Sequence, residues 1–301
     1  MNINLLTDAP KHNLALMKIS THHKAKGDNV QLNGIVGSFD QTYGSWLFTD
    51  SQKGVCDIEG GPGIDPTIRL NSLDGVIPDY SLYNLDYSLG YTWAYCPRKC
   101  PFCMVPKQNN PEIHRSIWNF HTFDYDTICL LNNNTFSDPN WKDTFEEIWD
   151  ADLKVRDENG YDLRLLDDEK TDALHRTKWA TPLHFAWDFM EDEEKIRRGL
   201  GLINKHKMRS TANGVYVLTG FDTTLEEDLH RCQVIDSYGL TPYPMPYRES
   251  LEGKSEEEKI KVGKKLKGLM KFKQFINLHY YRKYSSIKEA WLDYDIKTGI
   301  S

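Results

Sequence analysis

The sequence predicts an α/β protein, a parallel sheet or barrel of six strands preceded by a small open α/β domain. From about residue 88, short apolar runs alternate with helical stretches. Before that, an apolar run, an amphipathic stretch and a second apolar run read β–α–β and stop at a glycine- and proline-rich segment. With 39% hydrophobic and 12% aromatic residues, a chain of 301 residues can bury a core of that size.

The elements follow in order. Ile3–Leu6 reads as a strand, and Asn13–Lys26 reads as an amphipathic helix stopped by Gly27. Apolar runs at Val30–Leu32 and Ser45–Phe48 read as further strands. The stretch Gly60–Pro66, GGPGIDP, cannot continue a regular element and reads as a linker or binding loop. Six strands are expected at Leu89–Ala94, Thr127–Leu131, Asp162–Leu166, Leu183–Trp187, Gly214–Leu218 and Thr241–Met245. Helices are expected near 112–120, 138–151, 168–177, 190–206, 223–237 and 255–283. Thr223 with Glu226 makes a capping box for the fifth of these. The domains divide as 1–74, 75–250 and a helical C-terminal extension, 251–301.

Composition removes several classes of function. No window approaches a membrane span, and the first residues lack the basic flank and apolar run of a signal peptide, so the expected location is cytoplasmic with no membrane partner. A net charge of -7 argues against a large nucleic-acid surface. Six cysteines are too few for a disulfide framework, and three fall within eight residues, which points to metal or redox chemistry.

Those three are Cys96, Cys100 and Cys103 in GYTWAYCPRKCPFCMVPK, a C-x3-C-x2-C array directly after a strand. Three thiolates on such a loop suit three corners of a cubane cluster and leave the fourth iron without a protein ligand. Zinc would need a fourth ligand, for which His114 and His121 are at hand; Cys56, Cys129 and Cys232 lie far off. The spacing, with Phe102 just before the last cysteine, resembles the signature of the radical-SAM superfamily. The resemblance implies a [4Fe–4S] cluster and S-adenosylmethionine, cleaved reductively to a 5′-deoxyadenosyl radical that acts on an unknown substrate. It also implies a partial (β/α)6 barrel over residues 75–250, with an external electron donor such as flavodoxin or ferredoxin. The stretch CPRKCPFCMVPK also resembles methylthiotransferases, which normally carry further upstream cysteines, where this chain has only Cys56.

In such a barrel the chemistry lies at the carboxyl ends of the strands. Strand alternation turns Asp162 and Arg164 inward in DLRLL, and His184 and Asp188 inward in LHFAWD. Charges there must pair with one another, with S-adenosylmethionine or with substrate. Arg164, His184 and Asp188 are the catalytic candidates. Phe102, Asn132, Asn133, Asp162 and Gly220 are the cofactor-binding candidates. The run Asn132, Asn133 and Asn134 stands where the family has a segment receiving the methionine amino group, and it equally reads as a plain turn. Gly220 matches a stretch where backbone approaches the adenine, and Met245, Tyr247 and Arg248 follow the sixth strand.

The N-terminal domain resembles a shortened, Rossmann-like cobalamin domain. Asp8 is followed by APKHN, so the D-x-H-x-x-G motif is absent, and a degenerate scaffold or substrate-recognition role is favoured over cobalamin. A non-catalytic iron–sulfur or sensor protein is the alternative to the enzyme.

Overall fold

The structure, a computed structural model, describes residues 1–298; residues 299–301, the end of the expected C-terminal extension, lie outside the described residues. Alternating apolar residues make β1 (Asn2–Thr7), which buries Ile3 and Leu5 completely. The helix α1 (Leu14–Lys24) starts where the Asn13 side chain accepts the Leu16 N–H. It packs Leu16 and Ile19 on β1 and turns Met17 towards Tyr80, Tyr87 and Leu89. With β2 (Asn29–Leu32), β3 (Gln41–Ser45) and β4 (Ile58–Gly60), β1 builds a parallel sheet in the order β2-β1-β3-β4.

Two expectations change in this sheet. The strand read at Ser45–Phe48 lies earlier, because its register against β1 runs from Ile3↔Gln41 to Thr7↔Ser45 and ends with β1. Beyond that point the Asp8 carboxylate accepts the N–H groups of Leu47 and Phe48, at 2.7 and 3.0 Å, in place of a ladder. The GGPGIDP segment does continue a regular element at its first residue, since Gly60 ends β4, and it packs on the residue after β3: the Trp46 N–H donates to Gly60 O at 3.0 Å and the Gly63 N–H to Trp46 O at 2.8 Å. A Cβ at Gly61, whose φ is +92°, would stand 2.5 Å from the carbonyl oxygen of Trp46.

The chain continues through β5 (Ser88–Gly90), β6 (Thr127–Leu130), α2 (Trp141–Asp150), β7 (Lys154–Asp157), β8 (Tyr161–Asp162), α3 (Asp168–Arg176) and β9 (Lys178–Trp179). Strands β5, β6, β7 and β9 form a second parallel sheet in that order. Its core holds Ile117, Ile128, Leu130, Ile148 and Val155. The sequence pattern missed β7 and β9, where charged residues flank single apolar ones. The strand expected at Asp162–Leu166 shrinks to β8, because the Asp162 carboxylate accepts the Arg164 N–H and winds Leu163–Leu165 into a 3-10 turn. The helix expected at 112–120 is one 3-10 turn, Ile117–Asn119, capped by Ser116.

The third parallel sheet, in the order β12-β11-β10-β8, adds β10 (His184–Trp187), β11 (Gly214–Thr219) and β12 (Thr241–Pro246). The connecting helices are α4 (Glu193–Lys205) and α5 (Leu225–Ser237). Phe185, Trp187, Val215 and Val217 bury one face completely. Pro242, Pro244 and Pro246 fit β12 because it is an edge strand: the N–H groups of Thr241 and Tyr247 donate to the carbonyls of Asn213, just before β11, and of Thr219, at 3.0 and 2.9 Å, and the alternate positions need no donor. The capping box of α5 sits one residue later than expected, at Thr224 and Glu227. The last helical stretch divides into α6 (Glu256–Asn277), a 3-10 turn and α7 (Ile287–Thr298).

The molecule is thus α/β with parallel sheets. The strands expected in a single run fall in two compact units, Met1–Asn159 with Thr177–Thr181, and Gly160–Arg176 with the chain from Pro182 onward. Among the described residues no helix is long and apolar enough to cross a membrane.

Candidate functional site

In the first unit, the segment leaving β5 carries Cys96, Cys100 and Cys103, all half-buried. Its base is closed by an antiparallel bridge between Trp93 and His114 and by the Arg115 N–H donating to Thr92 O at 2.9 Å. Inside the loop, the Cys103 N–H donates to Cys100 O at 3.0 Å and the Val105 N–H donates to Cys103 Sγ at 3.4 Å. Phe102 is half-buried on the same turn.

The asparagine run lies directly beside this loop. The ladder between β5 and β6 ends as the Leu131 N–H donates to Gly90 O at 2.8 Å. Side chains then take over. Asn132 Oδ1 accepts the N–H groups of Thr92 and Trp93, at 2.9 and 3.0 Å, and its Nδ2 donates to Thr92 Oγ1 at 2.9 Å. Asn133 Nδ2 donates to Ala94 O at 2.5 Å, and Asn134 Nδ2 donates to Cys96 Sγ at 3.9 Å. Asn132 is only 2% exposed, and its amide bonds within the protein.

Among the described residues no three His, Cys, Asp or Glu side chains stand together as a metal-binding group, so the three thiols do not converge on one point. The loop does hold three half-buried soft ligands between segments pinned at its base. Among the described residues neither histidine considered as a fourth zinc ligand joins the cysteines in a metal-holding group. His114 Nδ1 bonds Asp138 at 2.6 Å, and His121 is buried with Nδ1 2.6 Å from Ser88 Oγ, its pKa lowered by burial. Cys129 lies in the core, where burial pushes its thiol up to about 12.

At the carboxyl edge of the first sheet, where a cobalamin domain would present its crevice, the chain's own groups bridge the strands. Asp8 also accepts from Ser51 Oγ at 2.6 Å, and Asn13 Nδ2 donates to Ser45 Oγ at 2.9 Å. Burial of the His12 ring lowers its pKa.

In the second unit, Asp162, Arg164 and Asp188 come together. Arg164 Nε and Nη2 donate to the two oxygens of Asp162, at 2.7 and 3.0 Å, and Nη1 donates to Asp192 at 2.5 Å. Burial pulls the Arg164 pKa down, but the two carboxylates outweigh it and hold it raised. Asp188, just past β10, has its pKa raised by burial against the opposing pull of Arg164 and Arg231. His184 is not part of this group. It opens β10, roughly 13 Å from Asp188 at the usual strand rise, and stacks on Tyr216 with ring centroids 5.1 Å apart. Gly220, φ +71°, does permit a close approach, but Leu269 of α6 makes it: a Cβ there would lie 2.4 Å from its side chain. Tyr247 packs edge-on against Phe221 at 4.8 Å, while Met245 and Arg248 are exposed.

Sequence reasoning missed Arg231. Fully buried on α5, it donates to the carbonyls of Trp187, Asp188 and Leu218, at 2.9, 3.0 and 2.6 Å, and to Asp228 at 2.5 Å. It thereby ties together the carboxyl ends of β10 and β11. The available signal was a charged pair, Asp228 and Arg231, on the same helix face as Leu229, Cys232 and Ile235. The chain matches no family model, no curated protein and no solved structure.

Proposed function

We propose that this chain is a radical-SAM enzyme, with a [4Fe–4S] cluster held by Cys96, Cys100 and Cys103 and S-adenosylmethionine as its second cofactor. The observation that supports this best is the cysteine loop itself. All three thiols of a C-x3-C-x2-C array leave the carboxyl end of a parallel strand on a loop pinned at both ends. When bound, such a cluster supplies one electron that breaks the sulfur–carbon bond of S-adenosylmethionine, yielding methionine and a 5′-deoxyadenosyl radical that takes hydrogen from substrate. The reading includes the partial (β/α)6 barrel, an external donor such as flavodoxin or ferredoxin, and a cytoplasmic location.

The protein's own groups have separable tasks. Arg164, fixed from two sides by Asp162 and Asp192, keeps its charge and offers a rigid cation. Asp188, with its pKa raised, is the carboxyl suited to hold or move a proton. Cobalamin forms no part of the proposal, since the groups at that edge bond one another.

The test is anaerobic loading with iron and sulfide, then reductant and S-adenosylmethionine. The expected product is 5′-deoxyadenosine, with Cys100→Ala losing both cluster and product. A colourless protein holding stoichiometric zinc would defeat the proposal. A second reading, a non-catalytic iron–sulfur or sensor protein, is favoured by two sites expected to meet S-adenosylmethionine and engaged by the protein instead: the Asn132 amide and the space at Gly220. That reading predicts a stable cluster and no 5′-deoxyadenosine.

A further inference from the structure

We infer that Arg231 is a positioning residue that fixes the turn on which Asp188 stands, with Asp228 balancing its charge; this rests on the reading of Asp188 as the carboxyl that holds or moves a proton, and not on the cluster. All of the groups involved lie in the second unit. The ladder between β10 and β11 ends at the pair Trp187↔Val217. Past it the Arg231 guanidinium takes over, with Nη1 donating to Trp187 O and Asp188 O at 2.9 and 3.0 Å and Nη2 donating to Leu218 O at 2.6 Å. One side chain of α5 thus holds the chain where it leaves two neighbouring strands.

A fully buried cation is tolerated only where its charge is met and its donors are engaged. Nη2 of Arg231 also donates to Thr223 Oγ1 at 3.3 Å and to Asp228 Oδ1 at 2.5 Å. Asp228 is itself fully buried, and it accepts the Thr223 hydroxyl at 2.7 Å. Burial raises the Asp228 pKa, while Arg231, Thr223 and the Gly220 N–H favour its ion. The fork matters as much as the charge. A planar guanidinium addresses several acceptors at fixed angles, whereas a lysine ammonium is a point charge on a flexible stem.

Both cations near Asp188 are thereby committed to other groups. Arg164 gives Nε and Nη2 to Asp162 and Nη1 to Asp192, and Arg231 spends its terminal nitrogens on carbonyls, Thr223 and Asp228. Among the described residues no ion pair is made by the Asp188 carboxylate. An arginine bonded to it would hold its pKa down. Instead burial prevails and raises it, against Arg164 and Arg231 and with Asp162 and Asp192. Those four groups, and Asp228 behind Arg231, are the charges around it. Arg231 therefore fixes where the carboxyl stands and leaves the carboxyl itself available to a proton.

The experiment reads the proton affinity of Asp188 through stability. With a raised folded-state pKa, the neutral Asp188→Asn variant is more stable than its parent at pH 7, and the advantage vanishes at about pH 3, where both side chains are uncharged. Urea unfolding measures that advantage in the wild type, in Arg231→Lys and in Asp228→Asn. Arg231→Lys keeps the charge and loses the fork, which lets water reach the carboxyl. Asp228→Asn keeps an oxygen for Arg231 and leaves the guanidinium charge unbalanced. Each is expected to shrink the advantage several-fold, counted as a ratio of unfolding constants. A merely structural role would lower the stability of Asp188→Asn and its parent alike and leave the advantage unmoved. An advantage equal to that of the wild type in every variant that folds overturns the positioning, while the reading of Asp188 stands; should Arg231→Lys fail to fold, Asp228→Asn decides. A wild type in which Asp188→Asn gains nothing at pH 7 over pH 3 overturns that reading, and the positioning with it.

Discussion

Asp188 stands at the end of β10 with Asp162, Asp192, Arg164 and Arg231 around it, and burial is the largest influence on its pKa, raising it. A carboxyl whose pKa is higher in the folded than in the unfolded state stabilises the fold below its unfolded pKa and loses that contribution as pH rises through the folded value. Asp188→Asn, which mimics the neutral form, is therefore expected to be more stable than the wild type at pH 7. The advantage should vanish below the ordinary carboxylate range, at about pH 3. Urea unfolding at the two pH values decides it, and equal differences at both would show that the shift is absent. Strand alternation led to the expectation that Asp162 and Arg164 pair with each other or with a ligand; they pair with each other, though not on a strand but through a 3-10 turn in which Asp162 accepts the Arg164 N–H. Their partner Asp192 was not legible, since it lies 28 residues beyond Arg164.

Helix α5 shows what decides a boundary. Thr223 with Glu226 and Thr224 with Glu227 both spell a capping box, and sequence alone cannot separate them. The choice is tertiary: the Thr223 hydroxyl donates to buried Asp228 at 2.7 Å, which leaves Thr224 to cap the helix. Glu227→Ala, which removes the carboxylate that accepts the Thr224 N–H, is expected to lower the denaturation midpoint. Glu226→Ala, which loses an exposed contact with Lys288, should leave the midpoint close to that of the wild type. Chemical denaturation of the two variants measures this, and an inverted order would restore the earlier box. Helices with strong apolar periodicity, such as α4, were found close to their expected ends; β7 and β9 were not, because short paired strands take their stability from neighbours rather than from their own pattern.

The two compact units interleave along the chain, because Thr177–Thr181 returns to the first unit and brings β9 onto β7. A chain ending after Asn159 leaves that edge of β7 bare, with Trp179 no longer packed against the core around Ile117 and Val155. Such a fragment is expected to elute as an oversized species in size-exclusion chromatography, whereas one ending after Thr181 should do so less. Equal behaviour would show that β9 does not protect the edge. The sequence by itself determined the α/β class, most of the alternation and the cysteine loop, because these rest on local periodicity and on spacing within a few residues. Only the tertiary structure decided which groups share a site, why the asparagines lie along the loop, and that His184 stands apart from Asp188. Those outcomes depend on bonds between residues as many as 40 positions apart, such as Asn132 on Thr92, which no local pattern encodes.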